Sequence, residues 1–184
     1  ILTPADEIAE EAGLTEKEIP YHFDKTVYEN RLYFGFGRAQ EEAPLKYGPN
    51  IADWPSMQPL TENILLEAAC VIHDPVTTTD ELIPSGETSS YRSNPLRLAE
   101  FTLSRKDPEY VNRAKRIAAA ERARLRYIGG DAGAAADMQN IYEGIGDPVL
   151  LAHTTGIGSV VAAVKPGDGS AREQAASCQK VLGG

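Results

Sequence analysis

The sequence predicts an α/β fold from three apolar patterns. Val160 to Val164 is an apolar run typical of a buried strand. After it, Ala175, Cys178 and Leu182 recur at the spacing of a helix. Glu67 to His73 also predicts a strand, because the turn-forming pair Asp74-Pro75 ends it. The clearest helix is predicted from Asp107 to Tyr127, with Asp107 as N-cap and Pro108 at the first helical position. Strands that alternate with helices favour a mixed α/β domain.

The first part of the chain, residues 1–50, predicts a linking segment. A short helix is expected there, with Thr3 as N-cap and Pro4 at the first position. Aromatic residues are frequent at 21–37, but few basic residues are interleaved with them. Packing against a neighbouring domain is therefore favoured over base stacking. We assign residues 1–50 to an N-terminal interdomain or linker segment and residues 51–184 to the main domain.

Two polar stretches follow the first predicted strand. The sequence Thr77-Thr78-Thr79-Asp80 is most simply a hydroxyl-rich turn or helix cap. The loop from Ile83 to Pro95, which carries Arg92, has the composition of ordinary surface. Neither stretch points to a function by its local pattern alone.

The long predicted helix is amphipathic and basic. One face is predicted to contain Val111, Ala114, Ala118, Arg122 and Leu125. Its remaining arginines and lysines could bind phosphate groups. A solvated face paired with acidic neighbours is the more common arrangement, and this acidic chain can supply those neighbours.

A glycine-rich turn leads from the last strand into the last helix. Gly167 and Gly169 allow the backbone to approach a ligand, and a helix N-terminus favours an anion. Ser170 places a hydroxyl there, and Arg172 can bind a carboxylate through two parallel hydrogen bonds. The alternative is an ordinary turn in which Ser170 caps the helix and Glu173 completes a capping box. The turn lacks the spacing of a P-loop or a nucleophile elbow.

Composition excludes several classes of function. The chain has 184 residues and a net charge of −9, which argues against general binding to nucleic acid or anionic membranes. Its two cysteines, Cys70 and Cys178, form no CxxC pair and no disulfide framework, so a reducing, cytoplasmic setting is expected. No apolar run is long enough to span a bilayer. His153 has no metal-ligating partner at a suitable spacing.

Two separated blocks resemble the swivelling C-terminal domain of the aconitase family. The first, Thr78-Thr79-Asp80 followed by Gly86 and Arg92, is similar to that family's Thr-Thr-Asp-His…Gly…Arg segment. The second is similar to its Gly-x-Gly-Ser-Ser-Arg-Glu-His-Ala segment, which also ends in Leu-Gly-Gly. It reads Gly167-Asp168-Gly169-Ser170-Ala171-Arg172-Glu173-Gln174-Ala175-Ala176, then Val181-Leu182-Gly183-Gly184.

The resemblance implies an aconitase-like swivelling β/β/α domain. It covers mainly residues 50–92 and 157–184. Residues 105–147 are expected to be a helical insertion relative to the family's core. The family's domain continues beyond Leu-Gly-Gly, so we expect a domain truncated at its C-terminus, with a hinge near the N-terminal region.

The resemblance also implies a hydro-lyase that dehydrates and rehydrates a hydroxy polycarboxylate. Ser170 would be the base, and Asp80 would orient Arg92 or Ser170. Arg92 and Arg172 would bind substrate carboxylates. Ala171 occupies a substrate-binding position where the family usually has a second serine, and losing that hydroxyl removes about 1 kcal/mol or more of binding. Gln174 and Glu81 replace two family histidines, so a substrate other than citrate is expected.

Cofactor and partners follow from the same resemblance. A [4Fe–4S] cluster would lie outside this segment, on cluster-bearing aconitase domains in the same chain or on a separate subunit. A metal site on this chain, a membrane and nucleic acid are not expected partners. The alternative is a diverged, non-catalytic interaction module that binds RNA, since some aconitase-like proteins do so.

Overall fold

The computed structural model describes residues 3–14, 23–31 and 35–184. The chain forms two compact units, Ile1–Leu45 and Lys46–Gly184. The division lies a little before residue 50, where the sequence analysis places its boundary. Helices and short parallel strands together make the chain mixed α/β, as predicted.

The described residues of the smaller unit include two short helices, α1 (Ala5–Glu11) and α2 (Thr26–Arg31). The prediction of Thr3 as N-cap is wrong, because Pro4 takes that position and provides no side-chain hydrogen bond. Within the aromatic stretch, Phe23 and Tyr28 pack with ring centroids 5.6 Å apart. Residues 21, 22 and 32–34 of that stretch lie outside the described residues.

The larger unit contains four strands and the remaining described α-helices. The strands are β1 (Asn63–Ile72), β2 (Thr77–Thr78), β3 (Thr155–Ala163) and β4 (Pro166–Asp168). The helices are α3 (Thr79–Leu82), α4 (Ser85–Thr88), α5 (Pro95–Ala99), α6 (Tyr110–Ile128), α7 (Ala135–Ile141), α8 (Pro148–Thr154) and α9 (Arg172–Val181). None of the helices in the described ranges has both the length and the apolar content needed to cross a membrane.

The strands form two parallel pairs, β1 with β3 and β2 with β4. The strands predicted at 67–73 and 160–164 are confirmed, and both begin earlier than predicted. Asn63 pairs with Thr155, and the register continues to Ile72 opposite Ala163. Pairing supplies the backbone hydrogen bonds that extend both strands beyond their most apolar residues.

The long helix contacts a bulge in β1, and it begins later than predicted. The register slips between Ala68 and Cys70, so Ala69 has no partner in β3. The Arg113 Nε–H donates to the Ala69 carbonyl at 2.6 Å, and the same guanidinium pairs with the Asp107 carboxylate. Asp107 therefore does not cap α6, which has Glu109 as N-cap without a side-chain hydrogen bond.

Helix α6 is part of the main core, although the resemblance would make this region an insertion. Val111 and Ala114 are buried as predicted, and Ile117 joins them. The same core holds Leu98 and Ala99 of α5 and three residues of the C-terminal segment. Those three, Ala175, Cys178 and Leu182, are the apolar positions from which the last helix was predicted.

A buried ion pair connects α6 to β3 and α8. The Arg124 guanidinium, with only 3% of its side chain exposed, donates Nε–H and Nη2–H to the two Glu121 carboxylate oxygens at 2.8 and 2.6 Å. Its Nη1–H donates to the Ala152 carbonyl at 2.7 Å. The Glu121 carboxylate also accepts the Ile157 N–H at 2.8 Å. Arg122, predicted on the inward face, is exposed instead.

Breaking this pair should destabilise the fold strongly. We expect Arg124→Met to lower the free energy of unfolding by about 2–3 kcal/mol, because the partly buried Glu121 carboxylate and the Ala152 carbonyl lose their donor. The control Arg122→Met, on an exposed side chain of the same helix, should change it by about 0.5 kcal/mol or less. Urea unfolding of both variants measures the difference. Equal losses of unfolding free energy in Arg124→Met and Arg122→Met would mean that the pair of Glu121 and Arg124 does not stabilise the fold.

Candidate functional site

The two polar blocks that are distant in sequence meet beside the short parallel pair. The Thr77 N–H donates to the Lys165 carbonyl at 2.9 Å, and Thr78 pairs with Asp168. Strand β2 leads directly into α3. Strand β4 leads into α9 through a short turn. The structure thereby brings the block around Thr78–Asp80 to the block around Gly167–Arg172.

The contact between the blocks is closest at Gly169. A Cβ on this residue would lie 2.1 Å from Thr79 Oγ1 and 3.1 Å from Thr79 Cβ. Its φ of +144° is also a conformation that favours glycine. Glycine is therefore required here both by the backbone conformation and by the close approach of the buried Thr79 side chain.

The simplest interpretation of the threonine stretch, a helix cap, is confirmed at Thr78. The Thr78 hydroxyl accepts the Glu81 N–H at 3.2 Å, and the Thr78 N–H donates to the Glu81 carboxylate at 2.7 Å, which completes a capping box. Lys106 Nζ donates to the same carboxylate at 2.7 Å and pairs with Asp74 at 2.5 Å. The hydrogen bond from Lys106, followed by those from Thr78, lowers the Glu81 pKa to about 2.

Asp80 has partners other than the two that the resemblance implies. Its carboxylate accepts the Ser85 N–H at 2.8 Å and the Ser85 hydroxyl at 2.7 Å. These hydrogen bonds, helped by Arg105 at 3.7 Å, lower the Asp80 pKa. Asp80 therefore holds the start of α4. Within the described residues it forms no hydrogen bond or ion pair with Arg92 or Ser170.

The start of α9 has no side-chain cap. Ala171 is the N-cap residue and carries no hydrogen-bonding group. The alternative interpretation of Ser170 as a capping residue, with Glu173 completing a box, is therefore wrong in this structure. The Ser170 hydroxyl is exposed and has no hydrogen-bond partner among the described residues. The N–H groups of residues 172–174 also have no acceptor in that part of the chain, and the next one, of Ala175, donates to the Ala171 carbonyl at 3.1 Å.

Two arginines flank this helix start without being neutralised. The Arg172 Nε–H donates to the Gly169 carbonyl at 2.8 Å, which leaves its two terminal nitrogens available. The Arg92 Nη1–H donates to Gln174 Oε1 at 2.7 Å. Both arginines are exposed, and neither pairs with a carboxylate within residues 3–14, 23–31 and 35–184. Gln174 was noted in the sequence only as a departure from the family pattern, because local spacing gives no sign of its link to Arg92.

The two cysteines are buried free thiols. Cys70 and Cys178 are both buried, and burial raises the Cys70 pKa to about 11 and the Cys178 pKa to about 12. A thiol, and not a metal-binding thiolate, is favoured at both positions. In the described part of the chain, no three His, Cys, Asp or Glu residues come together as a metal-ligand group.

A groove of about 350 Å³ lies away from these residues. Its floor includes Ile64 and Leu66 of β1, and its walls come from residues 55–61, α6 and the last residues of the chain. None of the site residues predicted from the sequence lines this groove. The candidate site at the start of α9 is instead an open surface.

The contact at Gly169 can be tested with a matched pair of glycine substitutions. Gly167→Ala should cost about 1–2 kcal/mol of unfolding free energy, since Gly167 has a φ of +83° but open space around it. Gly169→Ala should cost about 3 kcal/mol or more, because the overlap with Thr79 adds to the strain. Thermal and urea unfolding measure both losses. A smaller loss for Gly169→Ala than for Gly167→Ala would contradict the close contact between the blocks.

The Glu81 carboxylate, which accepts hydrogen bonds from Lys106 and Thr78, predicts a pH-dependent contribution to stability. Because the Glu81 pKa is lowered on folding, its contribution is fully present above about pH 4.3, the unfolded value, and is lost as the pH falls toward 2. Glu81→Gln should cost about 0.5–1 kcal/mol at pH 7, since the side chain is partly exposed. The cost should shrink between pH 4 and pH 2, as measured by urea unfolding. Glu62→Gln, on an exposed residue, is the control, and a pH-independent cost for Glu81→Gln would count against the charged contact between Glu81 and Lys106.

Comparison of this chain with protein-family models, with curated proteins and with solved structures gives no match. The similarity to the aconitase family therefore stays a prediction that rests on the two sequence blocks.

Proposed function

We propose that this chain is the substrate-binding, base-bearing domain of an aconitase-like hydro-lyase that acts on a hydroxy polycarboxylate. The observation that carries the proposal is the pair of un-neutralised guanidinium groups, Arg92 and Arg172, at the uncapped start of α9. In a chain of net charge −9, two cations without carboxylate partners at one place favour an anionic ligand.

The arrangement suits carboxylates in particular. A guanidinium held by one hydrogen bond keeps a fixed orientation and can offer its remaining N–H groups to a carboxylate. Arg172 is oriented by the backbone at Gly169, and Arg92 is oriented by Gln174. Two such groups favour a ligand with at least two carboxylates.

Ser170 is the proposed base. In the dehydration direction it would take the proton from a carbon α to a carboxylate. The C–H electron pair would form the double bond, and the hydroxyl on the neighbouring carbon would leave as water with a proton supplied by an acid of the cluster-bearing domains. Hydration is the reverse. Ser170 must be deprotonated before it acts as a base, and the free N–H groups of α9 and Arg172 would stabilise its alkoxide, since fixed dipoles need little reorganisation.

Asp80 and Ala171 have weaker support. The Asp80 carboxylate contacts Ser85 and Arg105, so we propose that it shapes the wall of the site through the start of α4. Ala171 contributes no hydroxyl, which leaves the first turn of α9 free for a ligand oxygen. Both features favour a substrate that differs from citrate.

The proposal assigns the [4Fe–4S] cluster to other domains, because the cysteines of this chain do not fit it. When bound there, the cluster would supply the Lewis acid for the substrate hydroxyl. Those domains, fused to this chain or on a separate subunit, would close over the start of α9 as the swivelling β/β/α domain moves. A reducing, cytoplasmic setting would suit two free thiols.

Hydration of cis-aconitate and related unsaturated di- and tricarboxylates, followed by absorbance in the assembled enzyme, tests the proposal. Ser170→Ala should lower kcat by about 10²–10⁴-fold and leave KM within about threefold, because a base acts in the transition state. Ser90→Ala, on another exposed serine, should leave both constants unchanged.

Two results would count against this function. An unchanged kcat in Ser170→Ala would remove the base assignment. No turnover of any of these acids by an enzyme with an intact cluster would overturn the hydro-lyase, and salt-sensitive RNA binding by the same protein would then favour the interaction module.

A further inference from the structure

We propose that Gln174 is a positioning residue, which holds Arg92 toward the substrate without neutralising the charge of Arg92. The free amide N–H groups of Gln174 would then select acids that carry a second oxygen acceptor beside a carboxylate. The inference rests on the proposed function, and it concerns a residue to which the family resemblance assigns no role.

The chemistry of the two side chains fixes how they face each other. Arginine has donors and no acceptor, so the 2.7 Å hydrogen bond from Arg92 Nη1 must be accepted by the amide oxygen of Gln174. The amide nitrogen Nε2 therefore points away from Arg92. It has no partner among the described residues, so both of its N–H donors are available to a ligand.

The two residues are 82 positions apart in sequence, and the core determines their separation. Gln174 lies in the first turn of α9, whose Ala175 and Cys178 are buried in the same core cluster as Leu98 and Ala99 of α5. Asn94 caps α5 by accepting the Arg97 N–H at 3.1 Å. Arg92 therefore precedes a capped helix that is packed in this core, which keeps it at a constant distance from Gln174.

A neutral acceptor has a specific consequence for Arg92. An amide oxygen orients the guanidinium and leaves its full positive charge for a ligand. A carboxylate at the same position would form an ion pair with Arg92 and compete with the substrate. Three cations of the long helix show the contrast, since Arg113, Lys115 and Arg116 each pair with an acidic residue.

Together, Arg92 and Gln174 present charged and neutral donors side by side. The remaining N–H groups of Arg92 suit a carboxylate, and the Nε2 donors of Gln174 suit an uncharged oxygen close to it. A hydroxy acid carries both groups on neighbouring carbons. The pair is therefore expected to favour hydroxy polycarboxylates over acids of the same charge that lack the hydroxyl.

The test uses three variants in the assembled enzyme: Gln174→Glu, Gln174→Met and the control Gln179→Glu. Gln179 lies on the same helix and forms no side-chain hydrogen bond within the described residues. Gln174→Glu should raise KM for the hydroxy acid about 10- to 100-fold with kcat changed less than threefold, because it neutralises a ground-state contact. Gln179→Glu, with the same change of charge, should leave KM within about twofold.

A double-mutant cycle separates positioning from a structural role. Gln174→Met removes the acceptor at similar volume and should raise KM about tenfold in the wild-type background. The same change is then made in an Arg92→Ala background and measured with the unsaturated acid, which lacks the hydroxyl and is the substrate for hydration. It should affect KM for that acid by less than about twofold, since Arg92 is no longer there to be held. Thermal unfolding of each variant should stay within a few degrees of wild type.

The outcomes distinguish this inference from the proposed function. If Ser170→Ala and Arg92→Ala impair turnover but the Gln174 variants behave like wild type, the role of Gln174 is wrong and the hydro-lyase stands. If Gln174→Met has the same effect with and without Arg92, Gln174 does not act through Arg92. If the wild-type enzyme turns over none of the acids, both the function and this inference are overturned.

Discussion

The buried pair of Glu121 and Arg124 is the interaction on which the larger unit depends most. One guanidinium and one carboxylate satisfy each other and also bind the Ala152 carbonyl and the Ile157 N–H. Three elements, α6, α8 and β3, are therefore joined by a buried guanidinium and a carboxylate that is 17% exposed. Such a pair specifies one arrangement of these elements, because any displacement leaves a charge buried without its partner.

The candidate site depends on that arrangement. Strand β3 continues through a short turn into β4, and β4 pairs with β2 before each of these strands leads into a helix. Contacts at the two ends of the site, Gly169 with Thr79 and Arg92 with Gln174, then hold the start of α9 between two distant parts of the chain. A site built in this way is rigid where the groups that bind a ligand must be oriented.

The distribution of charge separates structural cations from those available to a ligand. Most basic residues of α6 have acidic partners, and Lys106 binds both Asp74 and Glu81. Arg92 and Arg172 instead have only neutral acceptors, a glutamine side chain and a backbone carbonyl. A neutral acceptor fixes direction without cancelling charge, which is the property required of a group that binds carboxylates.

The sequence alone determined the elements whose signals are local: the strands near Glu67 and Val160, the apolar face of α9 and the cap at Thr78. These predictions rest on the spacing of apolar residues and on the positions of hydroxyl side chains. Both can be determined from residues that are close together in the sequence. Only the tertiary structure decided that Arg124 is buried while Arg122 is exposed, because the helical pattern does not say which side meets β3. It also decided that Asp107 binds Arg113 and that Gln174 binds Arg92. Those partners are chosen by the packing of distant elements, and no local spacing contains that information.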